Sequence, residues 1–493
     1  MLKITSEQKK IIGCDLKPGE ILKVKAFAGT GKTTTLVEYA RARPWMRFLY
    51  IAFNKSVQLE AARKFPPNVT ARTSHALAFR EKGFQYKERL VPGFRANQVM
   101  EALDLKTYED ARFTMDTLYN YLVSADPKVA HRHIPVKART FYENRMPDLV
   151  DHANRLGRLM CDGSDETIGM LHDGYLKLYQ LSNPVLNYDC ILLDEAQDIN
   201  PVTSAIVFSQ AGTPPGPPGS NRIPAAIILV GDGNQQIYSF RGARDTLNHL
   251  QASHTQYLTH SFRFDNNIAR LANMVLTTFK GEKRKIIGTP VLRGKKPKWN
   301  PGRHTIIART NAGVFDKAVQ LYPKHRIGFV GGVGGYRLSL LKDMFHLYDG
   351  APARVTDPYI RSFGDFQQLR SYARAVEDLE LMSLCAMVEK HTFRIPRLVD
   401  RITEQAVAAE EAGIILTTAH KSKGLEWANV LLMDDFHPLV EKGEIINPSG
   451  VEPDEFNLIY VAMTRAMVNL RFAKESCIPE FIGLWQKQQK KTR

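Results

Sequence analysis

The segment that begins at Ile21 constrains the fold of this chain more than any other. A short apolar run, Ile21 to Ala26, leads into AFAGTGKTTT and then into a helix-like stretch. The pattern A-x-x-G-x-G-K-T nearly matches a phosphate-binding loop, in which backbone N–H groups surround phosphate oxygens, a lysine contacts the outer phosphates and a threonine holds Mg²⁺. The flanking strand and helix disfavour the alternative, a chance glycine-rich turn. The predicted nucleotide contacts are Ala26, Gly29, Thr30, Gly31, Lys32, Thr33 and Thr34.

The patterns around this loop predict an α/β fold with a parallel sheet. A second apolar run, 48–53, follows at the spacing of a β-α-β unit, and such units build parallel sheets. From about 81 to 182 the pattern changes to long helical periods, which indicates an inserted helical subdomain. Strand signals return at 190–193 and 227–230. The proline- and glycine-rich stretch between them, 212–224, predicts a loop, and a surface insertion is favoured over a functional role.

A second block of strand and helix patterns occupies the C-terminal half. It begins near Tyr257, is interrupted by a mixed segment from about 326 to 403, and resumes with apolar strands at 414–418 and 430–433. A helix from Phe456 to Ala466 closes the block. Two blocks, each with an insertion, predict two similar lobes. We assign the first lobe to 1–80 and 183–252, its helical insertion to 81–182, the second lobe to 253–325 and 404–480, its insertion to 326–403, and a basic tail to 481–493.

The charge balance indicates a polyanionic partner. The chain has 67 Lys and Arg against 51 Asp and Glu, a formal charge of +16, which favours nucleic acid or an acidic membrane surface. Much of the excess lies in 280–298 and 487–493, outside every motif. No stretch approaches the length of a membrane helix, and the N-terminus lacks the apolar core of a secretion signal, so we expect an intracellular protein without a membrane partner. Five scattered cysteines favour free thiols over disulfides or a zinc site.

A second motif, LLDEAQD, places two carboxylates directly after an apolar run. Mg²⁺ prefers carboxylate oxygens, and the water that attacks a phosphate needs an orienting base. Asp194 suits the first task and Glu195 the second. Alone, such a pair would more often be a helix N-cap with a first-turn carboxylate, but the phosphate loop favours the catalytic interpretation.

Six motifs follow one another along the chain: AFAGTGKT, DEAQD, VGDGNQQIYSFRGA, SFRF, TTAHKSKGLEW and LIYVAMTRA. The set resembles the superfamily 1 DNA helicases of the UvrD/Rep type. The stretches RFLYIAFNKS and HDGYLKLYQLS extend the resemblance, over nearly the whole chain, to the helicase core of the F-box DNA helicase family. The F-box itself is absent, so we do not expect ubiquitin-ligase function, and we expect a prokaryotic or viral relative or a trimmed core.

The resemblance implies two RecA-like parallel-sheet lobes, each with an inserted, mainly helical subdomain, and an ATP site that uses Mg²⁺. Gln8 matches the glutamine that contacts the adenine edge, Phe262 the aromatic that stacks on the base, and Glu426 the carboxylate that contacts the ribose. An amide suits a purine edge because it both donates and accepts hydrogen bonds. As a lone glutamine Gln8 would be a surface residue, so its role rests on the resemblance alone.

The phosphate end of the site is implied in the same way. Gln235 matches a residue that senses the terminal phosphate, and Arg263 and Arg465 match two arginines that contact it. A guanidinium clamp of this kind is worth about 10³ to 10⁵ in rate. Taken alone, each arginine would be a solvated surface charge. The predicted catalytic residues are Lys32, Asp194, Glu195, Gln235, Arg263 and Arg465, and the predicted metal ligands are Thr33 and Asp194.

Aromatic and polar residues near the motifs are candidates for a DNA track. Tyr238 and Phe240 alternate at strand spacing before Arg241, and the family stacks an aromatic at the position of Phe240 on a base of single-stranded DNA. Stacking is worth about 1–3 kcal/mol per base, and a place in the core is the alternative for both aromatics. His75 is equally compatible with a structural, hydrogen-bonded histidine. The predicted DNA contacts are Phe53, Asn54, Lys55, Thr73, His75, Tyr238, Phe240, Arg241, Thr418 and His420.

The resemblance implies an ATP-dependent, DNA-stimulated helicase that moves 3′→5′ along single-stranded DNA in recombination and repair. Two alternatives stay open: a translocase that strips proteins from single strands without processive unwinding, and a DNA-binding regulatory module with a vestigial ATPase. The expected partners are single-stranded DNA, single-strand/duplex junctions, and recombinase filaments or single-strand-binding protein, with the chain acting as a monomer. The expected location is the cytoplasm for a prokaryotic or viral protein and the nucleus for a eukaryotic one.

Overall fold

The computed structural model describes residues 4–141, 146–212, 223–237, 247, 250–289, 298–375 and 379–491. It divides into two units, Met1–Phe27 with Gly31–Leu258, and Ala28–Thr30 with Thr259–Arg493. Each unit contains one large parallel sheet accompanied by helices, which confirms the predicted α/β class. Within the described ranges, no helix is long and apolar enough to cross a membrane.

The first unit is built on a six-stranded sheet. Its strands, including a two-residue pair in the insertion, are β1 (Ile21–Ala26), β2 (Phe48–Ala52), β3 (Val69–Thr73), β4 (Leu90–Val91), β5 (Met170–Leu171), β6 (Cys190–Leu193), β7 (Ala226–Gly231) and β8 (His254–Leu258). Its described helices are α1 (Ser6–Ile12), α2 (Lys32–Arg41), α3 (Lys55–Lys64), α4 (Ser74–Ala78), α5 (Ala96–Leu103), α6 (Tyr108–Leu122), α7 (Val136–Phe141), α8 (Met146–Cys161), α9 (His172–Leu181) and α10 (Pro201–Phe208). The sheet order is β3-β2-β6-β7-β1-β8, and every neighbouring pair is parallel.

The two central strands of this sheet follow directly from their composition. β6 (CILL) and β7 (AIILVG) are apolar along their whole length, and each of their residues is buried. Such continuous apolar runs are typical of parallel strands that are covered on both faces. The strand signals predicted at 190–193 and 227–230 are thus confirmed.

β8 extends the first unit beyond its predicted end. The sequence predicts a boundary after residue 252, yet β8 pairs in parallel with β1, with His254 opposite Leu22. This pairing satisfies backbone groups on the side of β1 that β7 leaves open. The strand HTQYL gives a weak signal because only Leu258 is buried. Residues 254–258 therefore belong to the first sheet and not to the second lobe.

The chain between β3 and β6 is mostly helical. Its helices α6, α8 and α9 pack around apolar side chains that are almost fully buried, among them Leu118, Leu122, Leu156 and Leu176. These apolar positions recur at helical spacing, which explains the long helical periods in the sequence. The two-residue strands β4 and β5 pair with each other within this segment.

The second unit is built on a five-stranded parallel sheet. Its described strands are β9 (His260–Ser261), β10 (Ile287–Gly288), β11 (His304–Ala308), β12 (Ile327–Phe329), β13 (Ile414–Thr418), β14 (Trp427–Leu432), β15 (Val440–Glu441), β16 (Glu444–Ile445) and β17 (Ala466–Phe472). Its described helices are α11 (Asn266–Lys280), α12 (Asn311–Leu321), α13 (Leu338–Tyr348), α14 (Pro358–Arg361), α15 (Phe366–Ala375), α16 (Leu379–His391), α17 (Ile395–Gln405), α18 (Ala419–Ser422), α19 (Pro453–Met463) and α20 (Ile478–Lys491). The sheet order is β12-β13-β11-β14-β17, with every neighbouring pair parallel.

Two segments of the second unit differ from the sequence-based limits. Ile327–Phe329 lie within the predicted insertion, but these residues form β12, an edge strand paired with β13. Three residues are too few for a periodic pattern to reveal a strand. The helix predicted from Phe456 to Ala466 runs instead from Pro453 to Met463, because proline is favoured in the first turn of a helix. Ala466 begins β17, so a strand and not a helix completes this sheet.

Candidate nucleotide-binding and catalytic site

Three neighbouring strands of the first sheet bring predicted site residues to one edge. β6, β7 and β1 are adjacent and parallel, so their carboxyl ends meet. Lys32 and Thr33 follow β1 at the start of α2, Asp194 and Glu195 follow β6, and Gln235 follows β7. Ligands of open α/β sheets bind at this edge. The sheet order therefore collects side chains that are far apart along the chain.

The loop after β1 presents backbone amides to this edge. Gly29 and Gly31 have left-handed φ angles of 72° and 77°, which glycine adopts without a steric penalty. Gly31 is the N-cap of α2 and contributes no side-chain hydrogen bond. The first-turn N–H groups, beginning at Lys32, therefore stay available at a helix N-terminus, which favours anions.

Lys32 and Glu195 form an ion pair in this edge. Lys32 Nζ lies 2.7 Å from Glu195 Oε2, and the two side chains are 11% and 34% exposed. Burial alone would lower the pKa of Lys32, but the charges of Glu195 and Asp194 outweigh it and raise that pKa. Lys32 is thus held as an ammonium ion, and the carboxylate of Glu195 is its anionic partner.

Asp194 and Thr33 form the part of the site that suits a metal ion. Thr33 Oγ1 donates to Asp194 Oδ2 at 2.8 Å, and Tyr50 Oη donates to the same oxygen at 3.1 Å. Burial and the charge of Glu195 raise the pKa of Asp194, with Lys32 opposing them. A carboxylate and a hydroxyl this close are hard oxygen donors, the ligand type of Mg²⁺. The residues present therefore fit the predicted metal site.

Gln197, to which the sequence analysis gives no role, joins the two acidic motifs. Its side chain is fully buried, its Nε2 donates to Glu195 Oε2 at 2.6 Å, and its Oε1 accepts from the Asp232 amide at 3.0 Å. Asp232 Oδ2 in turn accepts from Gln235 Nε2 at 2.8 Å. One amide thereby links the predicted base to the loop of the predicted phosphate sensor. Its position between two acids in DEAQD was the available signal.

Gln8 occupies a structural position in α1. Its Oε1 accepts from the Thr5 backbone amide at 3.0 Å, and its own backbone amide donates to Thr5 Oγ1 at 3.2 Å. The two hydrogen bonds together form a capping box. Gln8 Nε2 donates to Thr35 Oγ1 of α2 at 3.1 Å. The side chain is thus fixed against the helix that follows the phosphate loop.

The second unit brings three further predicted residues together. Arg263 Nε donates to Glu426 Oε2 at 2.7 Å, and its Nη1 donates to Thr464 O at 3.2 Å. Arg465, only 1% exposed, donates from Nη2 to Thr464 Oγ1 at 3.1 Å and from Nη1 to Leu425 O at 3.2 Å. Both guanidinium groups therefore share Thr464 and the segment around Glu426. Phe262, which the resemblance assigns to the base of the nucleotide, lies in the same unit and has an exposed side chain.

Predicted DNA contacts of the first unit follow β2 and β3, which are neighbours in the sheet. Phe53 is 46% exposed. Asn54 and Thr73 are N-caps that accept hydrogen bonds from backbone amides of α3 and α4, and Lys55 donates to a glutamine of α3. Burial lowers the pKa of His75. Phe53 and Lys55 thus combine exposure with the absence of a capping role among these five.

Two predicted DNA contacts, Thr418 and His420, lie in the second unit. Thr418 ends β13, is buried, and accepts from the Lys421 amide at 3.3 Å as the N-cap of α18. His420 lies in α18 and is half-buried. The predicted contacts Tyr238, Phe240 and Arg241 lie outside the described residues, as does 213–222 of the predicted loop.

Comparison with known protein families assigns both units. Residues 170–255 match the UvrD/REP helicase N-terminal domain, and residues 362–476 match the UvrD-like helicase C-terminal domain. The chain thus carries matches to both domains of the UvrD-like helicases. In this UvrD-like chain the first match contains the acidic motif and Gln235, and the second contains Glu426 and Arg465. The phosphate loop and Arg263 lie outside both matches, so their assignment rests on motif and geometry.

Individual relatives agree with the UvrD-like family. F-box DNA helicase 1 of Gallus gallus is 36% identical over 94% of this chain and 48% of the relative. F-box DNA helicase protein 1 of Schizosaccharomyces pombe is 32% identical over 95% of this chain and 57% of the relative. ATP-dependent DNA helicase UvrD2 of Mycobacterium tuberculosis is 23% identical over 57% of this chain and 47% of the relative. The UvrD-like chain therefore spans about half the length of the F-box relatives that it matches.

Proposed function

We propose that this chain is the ATP-driven motor core of a DNA helicase that moves 3′→5′ along single-stranded DNA. The observation that carries the proposal is the cluster at the carboxyl edge of β1 and β6, where Lys32 meets Glu195 and Thr33 meets Asp194. A DNA-binding regulatory module with a vestigial ATPase has no use for such a cluster. The names of the relatives, all DNA helicases, support the same class.

In this proposal, ATP binds with its phosphates at the N-terminus of α2, and Lys32 exchanges Glu195 for phosphate oxygens. Glu195 then accepts a proton from the water that attacks the γ-phosphorus. The bond from that phosphorus to the bridging oxygen breaks, so ADP and phosphate leave. Thr33 and Asp194 would hold Mg²⁺, which would supply positive charge opposite the β- and γ-phosphates.

The other predicted residues complete the proposed ATP site. Arg263 and Arg465 stabilise the negative charge that develops on the transferring phosphoryl group, as guanidinium groups do in related reactions. Gln235 contacts the terminal phosphate, and its hydrogen bond to Asp232 orients its amide. Gln8 contacts the adenine edge, Phe262 stacks on the face of the base, and Glu426 contacts the ribose.

The nucleic-acid side of the proposal comprises the track, the partners and the setting. The track is formed by Phe53, Asn54, Lys55, Thr73, His75, Tyr238, Phe240, Arg241, Thr418 and His420. We propose action as a monomer at single-strand/duplex junctions in recombination and repair, on strands that carry recombinase filaments or single-strand-binding protein. The two F-box relatives come from eukaryotes, which favours the nucleus over the cytoplasm of a prokaryotic or viral host. Two lobes with insertions are retained, with the first lobe ending at Leu258 and the second insertion beginning after Phe329.

Unwinding of 3′-tailed and 5′-tailed duplexes with ATP and Mg²⁺ tests the proposal. We expect displacement from the 3′-tailed duplex only, ATP hydrolysis that single-stranded DNA stimulates, and neither reaction with Lys32→Ala. Displacement from the 5′-tailed duplex would overturn the polarity. DNA-stimulated hydrolysis that leaves both duplexes intact would favour the protein-stripping translocase. Hydrolysis that ignores DNA, or no hydrolysis, would overturn the motor.

A further inference from the structure

The turn before α17 places an aromatic side chain in solvent. Phe393 is 79% exposed, more than any other large apolar residue in the part of the chain that the structure describes. Its neighbour Thr392 has a φ of 44°, a left-handed conformation that is rare for a β-branched residue. Such strain persists only where the surroundings impose it, and it is frequent at functional sites.

Ion pairs fix the chain immediately before this turn. Lys390 Nζ and His391 Nε2 lie 2.6 and 3.1 Å from the same oxygen, Asp316 Oδ1. Glu389 Oε1 lies 2.7 Å from Arg370 Nη1. The end of α16 is thus tied to α12 and α15, so the exposed ring stands on an anchored base rather than on a loose loop.

Three arginines follow the exposed ring on one face of the helix. Arg394, Arg397 and Arg401 are three and four residues apart, the spacing of helical neighbours. All three are exposed, and none forms an ion pair with any residue that the structure describes. We refer to these three residues as the arginine stripe. The stripe differs in this respect from Lys390, just before the turn, which has the carboxylate of Asp316 as a partner.

The opposite face of α17 explains why the stripe points outward. That face packs into the core of the second unit through four side chains that are at most 4% exposed, Ile395, Leu398, Val399 and Ile402. Two acids share the outer face with the stripe. Asp400 is paired with Lys342, and Glu404 lies at the end of the helix. The outer face therefore keeps an excess of positive charge.

We propose that Phe393 and the arginine stripe form an additional binding surface for single-stranded nucleic acid, outside every sequence motif of this chain. The proposal rests on the proposed function, because a motor that moves along a strand must hold that strand. It deepens that function by adding a contact surface in the second insertion, for which the sequence analysis predicts no role.

The chemistry of this surface favours a single strand over other polyanions. A guanidinium fork binds phosphate oxygens in a bidentate manner. The first and last arginines of the stripe are seven residues apart, about 10 Å along the helix, which is enough for successive phosphates of one strand. An exposed aromatic ring stacks on a base of any identity. A double helix hides its base faces except at its ends. An acidic peptide would neutralise the arginines but would offer no planar partner for Phe393.

Equilibrium binding of a labelled single-stranded oligonucleotide to the full chain, without nucleotide, tests the stripe. Each phosphate contact lowers the slope of log K against log salt by about 0.7 for single strands. Replacing Arg394, Arg397 and Arg401 by Gln together should reduce the slope by about 2 and weaken binding on the order of a hundredfold at moderate salt. Arg270→Gln is the matched control, because Arg270 is also an exposed arginine on a helix of the second unit. The control should bind like the wild type.

A strand without bases tests the aromatic ring. Phe393→Ala should weaken binding of an ordinary oligonucleotide about tenfold, whereas Phe393→Tyr should retain the affinity because it keeps the ring. On an oligonucleotide made entirely of abasic sites, Phe393→Ala and the wild type should bind equally. An equal loss on ordinary and abasic strands would show that Phe393 does not stack on bases, and would overturn its part in the surface.

Further outcomes separate this surface from the proposed function. If the wild type binds the strand and the triple Gln variant has the same affinity and salt slope, the proposed surface is overturned. Failure of the wild type to bind any strand would overturn the proposed function itself. Polyglutamate serves as a probe for an acidic protein partner. If the triple Gln variant lost affinity for polyglutamate but kept its affinity for the oligonucleotide, the stripe would be assigned to an acidic protein instead. A triple Lys variant guards against misfolding, because it should keep the slope that the Gln variant loses.

Discussion

Each unit of this chain holds an ion pair between two residues predicted for the nucleotide site, and the two pairs differ in their surroundings. In the first unit, Lys32 and Glu195 meet at 2.7 Å with side chains 11% and 34% exposed. In the second, Arg263 and Glu426 meet at the same distance with side chains 15% and 48% exposed. The cations are similarly buried, so the difference lies in the carboxylates.

The first carboxylate is held in place and the second is not held to the same degree. Glu195 has a left-handed φ of 49° between β6 and a short 3₁₀ turn, and Gln197 binds the same oxygen that Lys32 binds. Glu426 follows the left-handed Gly424 in an exposed segment, where an ion pair contributes about 0–1 kcal/mol. Glu195, as the proposed base, must hold a fixed position to accept a proton from the attacking water. Glu426 only pairs with Arg263, so another hydrogen-bond acceptor can replace it.

The largest effect is expected at the guanidinium groups. Arg465→Ala should reduce ATP hydrolysis about 10³- to 10⁵-fold, and Arg263→Ala should do so by a similar factor. The two should differ in thermal unfolding, because Arg465 is 1% exposed with hydrogen bonds to the Val461 and Leu425 carbonyls. Circular-dichroism melting should therefore show the greater loss for Arg465→Ala. Hydrolysis at the wild-type rate in a folded variant would remove that arginine from the site.

The fixed carboxylate of the first unit should separate binding from chemistry. Glu195→Gln should lower hydrolysis about 10²- to 10⁴-fold yet tighten ATP binding, because Lys32 loses the charged partner that phosphate must displace. Lys32→Ala should lose both binding and hydrolysis. Titration with a fluorescent ATP analogue, followed by single-turnover hydrolysis, measures the two steps. Equal loss of ATP affinity in both variants would mean that the Lys32–Glu195 ion pair maintains the structure of the site, and that Glu195 does not compete with phosphate for Lys32.

The fold was predictable from sequence where strands are long and apolar. β6 and β7 are continuous apolar runs, and their spacing to the phosphate loop predicts a parallel sheet. The edge strands β8 and β12 were not predictable in the same way. HTQYL contains only two apolar residues, and IGF is three residues long. Their strand character comes from hydrogen bonds to β1 and β13, a non-local cause that local patterns do not report.

The candidate site shows a similar division between residue identity and residue pairing. The motifs predict Lys32, Thr33, Asp194 and Glu195, because phosphate and metal chemistry demands those residue types at those places. They do not predict that Lys32 pairs with Glu195, since the sheet order decides which loops meet. The role of Gln197 was missed for a related reason: a neutral amide is not diagnostic until its two partners are known.

The buried glutamine that holds the first carboxylate should give the next effect in size. Gln197→Ala removes hydrogen bonds to Glu195 and to the Asp232 amide, and a displaced base should lower kcat about tenfold to a hundredfold while KM for ATP stays unchanged. Gln210→Ala is a matched control, because Gln210 is 1% exposed and bonds Pro184 O and the Leu186 amide away from the site. Each change should cost about 1–3 kcal/mol of unfolding free energy. A kcat equally low in both variants would indicate general destabilisation, not positioning of the base.

The smallest effect is expected at the exchangeable carboxylate of the second unit, where two roles can be told apart. Glu426→Gln keeps a hydrogen-bond acceptor for Arg263 and removes the charge of a half-exposed pair, so kcat should change by no more than about fivefold. If Glu426 contacts the ribose, the wild type should prefer ATP to its deoxyribose analogues, and the variant should narrow that preference. If Glu426 acts only through Arg263, kcat should fall alike for every nucleotide. An effect as large as that of Glu195→Gln would erase the contrast between the two units, because it would mean that both carboxylates must stay fixed for hydrolysis.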